Sequence, residues 1–207
     1  MTAPRPAKAQ TSEAKPRTKP AEVRREELLD AAEHLFLEKG LAATSVDEIV
    51  SRADVAKGTF YLHFASKDAL VIGLQERFMA RMSSSIEKAL AKKRPDDYRG
   101  RLRAWITSAI DGFMDQFALH EIVFHEFRPE DHKPSKDNAT FNGLIELLQE
   151  GAAAGAFDLS DPELTGLMLL HAFHGAGEAM HAAQHTGARR ALTKQLETFA
   201  LRVVGAP

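Results

Sequence analysis

The chain predicts an all-α protein: an amino-terminal three-helix domain containing a helix-turn-helix, followed by a larger helical domain. Three observations predict this. From Pro20 onward apolar residues recur at helical spacing, and no stretch shows sustained strand-like alternation. Helix starts are marked by capping residues: Ser45 with Glu48, Ser66, and Asp161 before Pro162. Between the periodic segments lie breaks of proline, glycine and charge, above all 92–97 (Lys-Lys-Arg-Pro-Asp-Asp). At 207 residues, either one large helical domain or a small one joined to a larger one has a real core.

Residues 1–20 are expected to form a disordered basic arm. Arg5, Lys8, Lys15, Arg17 and Lys19, with Arg24 and Arg25 just beyond, face only Glu13 and Glu22 in a background of Pro, Ala and Thr. The net charge of -2 therefore hides an asymmetry, and such an arm can neutralise phosphates or lie in a minor groove. Helix one follows, with Leu28, Ala32, Leu35 and Phe36 facing inward and Gly40 as a left-handed cap. Ser45 and Glu48 form a capping box for helix two, whose Val46, Ile49 and Val50 return to the same core. Helix three runs over about 57–63 with Phe60 and Phe64 buried, and Ser66 caps a long fourth helix. The domains expected are thus the arm, a head over 21–67, and an effector and dimerisation domain over 68–207.

Within that second domain, Leu102, Trp105, Ile106, Ala109, Phe113 and Phe117 give helix five a wide apolar face. A sixth helix is expected over 121–127 and a polar loop over 130–137. Helix seven carries Phe141, Leu144, Ile145, Leu147 and Leu148. Helix eight starts at Asp161 and Pro162 and reaches about His185; Gly187 separates it from a ninth bearing Leu192, Leu196, Phe199 and Val203.

The chain has no cysteine, which excludes a disulfide scaffold and any thiolate metal site. It has neither the apolar core of a signal peptide nor a run long enough to span a bilayer. A soluble, cytoplasmic protein with no membrane association is expected.

The stretch 44–67 carries the functional reading. Two short helical patterns joined by a tight turn describe a helix-turn-helix whose second helix can enter a DNA major groove. Lys57 is long enough to reach guanine O6 or N7, and Gly58 lets the backbone approach closely. Thr59 can touch a thymine methyl or a phosphate, and Tyr61 and His63 have polar tips suited to phosphate oxygens. Lys67, in the first turn of helix four, can grip a phosphate beside free backbone amides, as can Thr44 and Ser45 at the start of helix two. Read singly, Tyr61 and Phe64 are equally core aromatics and Lys57 a solvated charge. The pattern as a whole favours double-stranded DNA.

That stretch, and above all Gly-Thr-Phe-Tyr-Leu-His-Phe-Ala-Ser-Lys-Asp-Ala-Leu over 58–70, resembles the amino-terminal signature of the TetR family of bacterial transcription regulators. Two positions depart from the family pattern: Asp54 stands where the turn normally has glycine, and Ala56 replaces a capping serine. Aspartate tolerates the left-handed conformation, and burial of Phe60 and Phe64 can offset a lost cap of about 1 kcal/mol. The resemblance implies a homodimer paired through helices eight and nine, where Ala172, Gly175, Ala176, Gly177, Ala179, Ala182 and Ala183 permit close approach. It also implies a buried effector cavity among helices four to eight, and hence a one-component repressor leaving a palindromic operator when a small organic molecule binds.

For that cavity Trp105, Phe113, Phe117 and Phe124 supply apolar surface, and His171 or His174 a polar contact. Phe127 and Phe173 add to the aromatic count. No cofactor and no resident metal are expected. The alternative is a metal-responsive regulator, because His171, His174, Glu178, His181 and His185 fall at steps of three or four on helix eight, with His120 or His125 available from another helix. An enzyme is not expected: there is no nucleophile-base motif. His120 and His125 are one residue too far apart for the zinc-protease pair, which on an α-helix sets them well apart around the axis.

Overall fold

The computed structural model describes residues 19–127, 139–182 and 189–205, and all regular structure among them is helical. The arm over 1–18, the loop expected over 130–137, the stretch from Ala183 to His185 and Gly187 lie outside the described residues. Helices α1 (Ala21–Lys39), α2 (Val46–Arg52) and α3 (Lys57–His63) form the head, and α4 (Lys67–Leu90) leaves it as a rod. After the break come α5 (Tyr98–Asp115), α6 (Phe117–His120), a π-helical segment (Glu121–Glu126), α7 (Ala139–Ala153), α8 (Pro162–Ala182) and α9 (Arg189–Val203).

Local chemistry sets the head's geometry. Gly40 ends α1 with φ 85° and ψ 161°, its N–H donating to the Phe36 carbonyl. This extended positive-φ region is open essentially to glycine alone, and replaces the left-handed cap expected there. The capping box forms: the Glu48 N–H donates to Ser45 Oγ, and the Ser45 N–H to the Glu48 carboxylate. Asp54 adopts φ 52°, the single positive φ outside glycine among the described residues, so the turn survives the loss of its usual glycine. Ala56 offers α3 no side-chain cap, and α3 is held instead by Phe60 and Phe64, both buried.

Two cores meet along α4. Leu70, Val71, Leu74 and Phe78 join Leu28, Leu29, Phe36, Ile49 and Phe60 in the first, and Ile86 joins Trp105, Ile106, Leu148 and Phe173 in the second. Leu119, Ile122, Val123 and Phe127, far along the chain, close the first core from beneath. The guanidinium of Arg77, almost wholly buried, clamps α4 to α1 through Asp30 (2.7 Å), Glu26 (3.1 Å) and Glu33.

The sixth helix differs from expectation. It begins at Phe117 and passes at His120 into the π-helical segment, which the Phe127 N–H ends by donating to the Ile122 carbonyl five residues back, at 3.2 Å. Phe117 therefore belongs to α6, not to the face of α5. Helix α8 starts as its sequence requires, with the Leu164 N–H donating to Asp161 Oδ1 at 2.9 Å.

Candidate DNA-reading head and effector cavity

The outer face of α3 is built from residues that packing leaves over. Phe60 turns inward, which sets Lys57, Gly58, Tyr61 and Leu62 outward and leaves Thr59 and His63 half-buried. The Tyr61 ring stands edge-on to Phe60 at 5.3 Å, with the tyrosine about half exposed. Space around Gly58 is open: among the described residues, nothing beyond its chain neighbours and its own helix backbone lies within 4 Å of where a Cβ would sit. The ammonium of Lys57 pairs with Asp47 of α2 at 2.7 Å, and that hydrogen bond raises its pKa.

Three other expected DNA contacts sit differently. The Thr44 side chain is buried, its hydroxyl donating to the Gly40 carbonyl at 2.9 Å, so it braces the α1–α2 loop. Ser45 is exposed but spends its hydroxyl on the capping box. Lys67 Nζ donates to the Leu41 carbonyl (3.1 Å) and the Thr44 carbonyl (3.0 Å), tying that loop to the start of α4. An ammonium has three donors, so one direction remains for a phosphate. Sequence reasoning passed over Leu62, 83% exposed on the reading helix, and Asp47, the partner of Lys57. Helical spacing from Gly58 was the available signal for Leu62.

Behind the head, α4, α5, α6, the π-helical segment, α7 and α8 line a partly open cavity of about 220 Å³. Trp105, Phe113, Phe124 and His174 line it as expected, together with Phe78, Met82, His120, Thr140 and Phe173. Two expected residues do not. Phe117 packs edge-on against Phe113 and is covered by the stacked ring of His181 at 3.7 Å. His171 lies on the exposed face of α8, its Nδ1 2.8 Å from the Leu167 carbonyl. Among the described residues, three buried polar atoms of the lining have no hydrogen-bond partner: Trp105 Nε1, Thr140 Oγ1 and His120 Nδ1. Buried polar groups are normally paired, so a polar occupant is the natural complement of these three.

The π-helical segment reverses one expectation. On an α-helix a separation of five residues turns a side chain roughly 140° around the axis. With bonds reaching five residues back, His125 instead swings under His120: their rings are 5.2 Å apart, and His174 of α8 completes the group at 4.8 Å from His120 and 6.1 Å from His125.

Burial holds the pKa of His120 down to about 3, helped by the neighbouring His174 and His125. Burial likewise lowers His174, against the opposing pull of Glu178. The unfolded chain takes up a proton at His120 as pH falls past about 6.5, whereas the folded chain does not until about 3. Stability is therefore lost across that window, by up to about 1.4 kcal/mol per pH unit. His120→Phe is expected to lose less stability than the parent between pH 7 and pH 4, measured as urea midpoints. Parallel curves for the two proteins would contradict a neutral buried His120.

A family model for bacterial regulatory proteins of the tetR family matches residues 28–74, the head and the first part of α4. The HTH-type transcriptional activator FasR of Mycolicibacterium smegmatis is 38% identical over 102 residues, 49% of this chain and 43% of FasR. The HTH-type transcriptional repressor NemR of Escherichia coli is 32% identical over 137 residues, 63% of this chain and 68% of NemR. The match thus spans less than half the length of FasR and about two thirds of NemR. The crystal structure of the transcriptional regulator FadR from Bacillus subtilis, in complex with stearoyl-CoA, superposes with a TM-score of 0.72 at 22% identity, covering 84% of this chain and 96% of that one. At that identity the likeness shows the fold alone. Among the described residues no helix is long and apolar enough to cross a membrane.

Proposed function

The chain belongs to the tetR family of bacterial regulatory proteins, and on that footing we propose that it is a one-component repressor. It binds a palindromic operator in the cytoplasm as a homodimer and leaves it when a small organic molecule enters the cavity behind the head. The observation that carries this reading is Phe78. The same ring belongs to the first core, which seats α3, and to the cavity wall. A ligand that favours one position of Phe78 and α4 biases the head by its differential affinity for the two arrangements. The repressor sign follows NemR, the relative matched over the larger share of this chain.

The cavity favours a particular kind of effector. At about 220 Å³ it falls just below the roughly 300–1,000 Å³ of drug-sized sites, which suits a compact aromatic or short-chain molecule. Its unpartnered indole N–H and threonine hydroxyl suit a ligand with one or two hydrogen-bonding groups on an otherwise apolar body.

Dimerisation is supported by the outer face of α8. Leu164, Leu167, Met168, His171, Gly175 and Ala179 are exposed at helical spacing, and Phe199 of α9 is also exposed. Space at Gly175 is open for a second copy, whereas Gly177 is used within the chain: a Cβ there would lie 2.5 Å from the Phe113 ring.

The test starts by selecting duplexes from a random pool with the purified protein, then titrates salt against selected and scrambled DNA. Lys57→Ala is expected to lower discrimination at one base pair by about 1–3 kcal/mol. Lys67→Ala should weaken all duplexes alike and reduce the salt slope by about one. Equal loss of base preference from both contradicts these roles, and failure to enrich any palindrome removes the operator reading.

A further inference from the structure

We propose that His120, His125 and His174, closed by Glu178, form a binding site for a divalent transition-metal ion of the zinc class in the wall of the effector cavity. Each histidine offers one ring nitrogen, and the three nitrogens lie within 4.8 Å of one another. The carboxylates stand at a telling distance. His174 Nε2 is 3.4 Å and His125 Nε2 3.5 Å from Glu178 Oε1, and Glu121 Oε1 lies 3.6 Å from His120 Nδ1 and 3.8 Å from His125 Nε2. These spacings exceed the roughly 2.7–3.2 Å of an N–H···O bond. The two Glu178 spacings match the roughly 3.3–3.4 Å that separates two ligands on a tetrahedral ion with bonds of about 2.0–2.1 Å, and the Glu121 spacings are longer.

Independent support comes from His120. The residue is 5% exposed, and among the described residues its Nδ1 has no hydrogen-bond partner, a costly arrangement for an imidazole without a ligand. Three imidazoles and a carboxylate suit zinc, cobalt or nickel rather than magnesium or calcium, which prefer all-oxygen shells. The π-helical segment makes the arrangement possible, since it brings His120 and His125 to one side. His171, part of the metal set drawn from α8 in the sequence, lies outside the cluster on the exposed face.

The site can be measured without DNA or an organic effector, so its failure is separable from failure of the repressor reading. Tag-free full-length protein is titrated with Co²⁺. The expected result is the visible ligand-field spectrum of tetrahedral cobalt, saturating at one ion per chain and bleached by Zn²⁺. His125→Ala and Glu178→Gln alter side chains that are 42% exposed, so both variants should keep the parent's circular dichroism. Each should weaken binding by about 100-fold, at or above the 10–100-fold that loss of a supporting partner costs. His171→Ala should titrate as the parent does. The proposal is overturned by absence of a saturable 1:1 complex, by an octahedral spectrum, by full binding in His125→Ala or Glu178→Gln, or by loss of binding in His171→Ala. His125→Gln serves as a second variant should His125→Ala misfold.

Discussion

Phe60→Ala is expected to destabilise the protein by about 3–5 kcal/mol and to abolish operator selection, while Leu62→Ala two residues on leaves stability within about 0.5 kcal/mol. Both side chains are large and apolar, and both belong to the same two-turn helix. Phe60 is fully buried in the first core and Leu62 is 83% exposed. Helix α3 has seven residues and no side-chain cap. A helix that short has no stability of its own in water, so packing of Phe60 and Phe64 is what keeps it formed. Truncating Phe60 opens a cavity under the reading face and frees α3, whereas truncating Leu62 removes only an outward methyl-rich surface that can meet a thymine methyl. Urea denaturation of both variants and binding to selected duplexes check this. Destabilisation of Leu62→Ala by more than 2 kcal/mol, or an unchanged Phe60→Ala, would reverse the assignment of the two faces.

The second large effect is expected at Trp105. Its side chain is fully buried between the second core and the cavity, with the ring tilted against Phe173 at 5.7 Å. Trp105→Ala should cost about 3–5 kcal/mol. Because Trp105 already borders an open cavity, the variant joins the vacated ring space to it, and an apolar hole of that kind stays available to an aromatic guest. Indole in excess should therefore raise the urea midpoint of Trp105→Ala more than that of the parent. Equal shifts in both proteins would mean that the vacated space has collapsed. Operator selection by the folded variant should survive, since no atom of Trp105 belongs to the first core.

Much of the architecture was legible because its signals are local. The capping box at Ser45, the caps at Ser66 and Asp161, and the break before Tyr98 each act within a turn of the residue that carries them. The order of the helices, the extent of α3 and the starts of α2, α4 and α8 follow from such signals and from apolar spacing. The candidate sites were legible only in part. Lys57, Gly58 and Tyr61 reach the surface of the head as their spacing implies, but Thr44 and Lys67 turned inward to loop carbonyls. The Lys67 bonds join residues 23 and 26 positions apart, which no periodicity encodes, whereas the Thr44 bond reaches back only four residues to Gly40. On α8, equal spacing made His171 and His174 interchangeable; the way the helix lies on α5 sends His174 to the cavity and His171 outward.

By itself the sequence determined the order of the helices, the caps at Ser45, Ser66 and Asp161 and the outward face of α3, since each depends on dihedral preferences and side chains a few residues apart. Tertiary structure alone decided that Leu119 to Phe127 closes the core under the head, that Phe78 serves both core and cavity, and that a π-helical turn gathers three histidines. Burial and close approach are set by segments distant in the chain. A bond five residues back instead of four is favoured only when the surrounding core accommodates the widened turn.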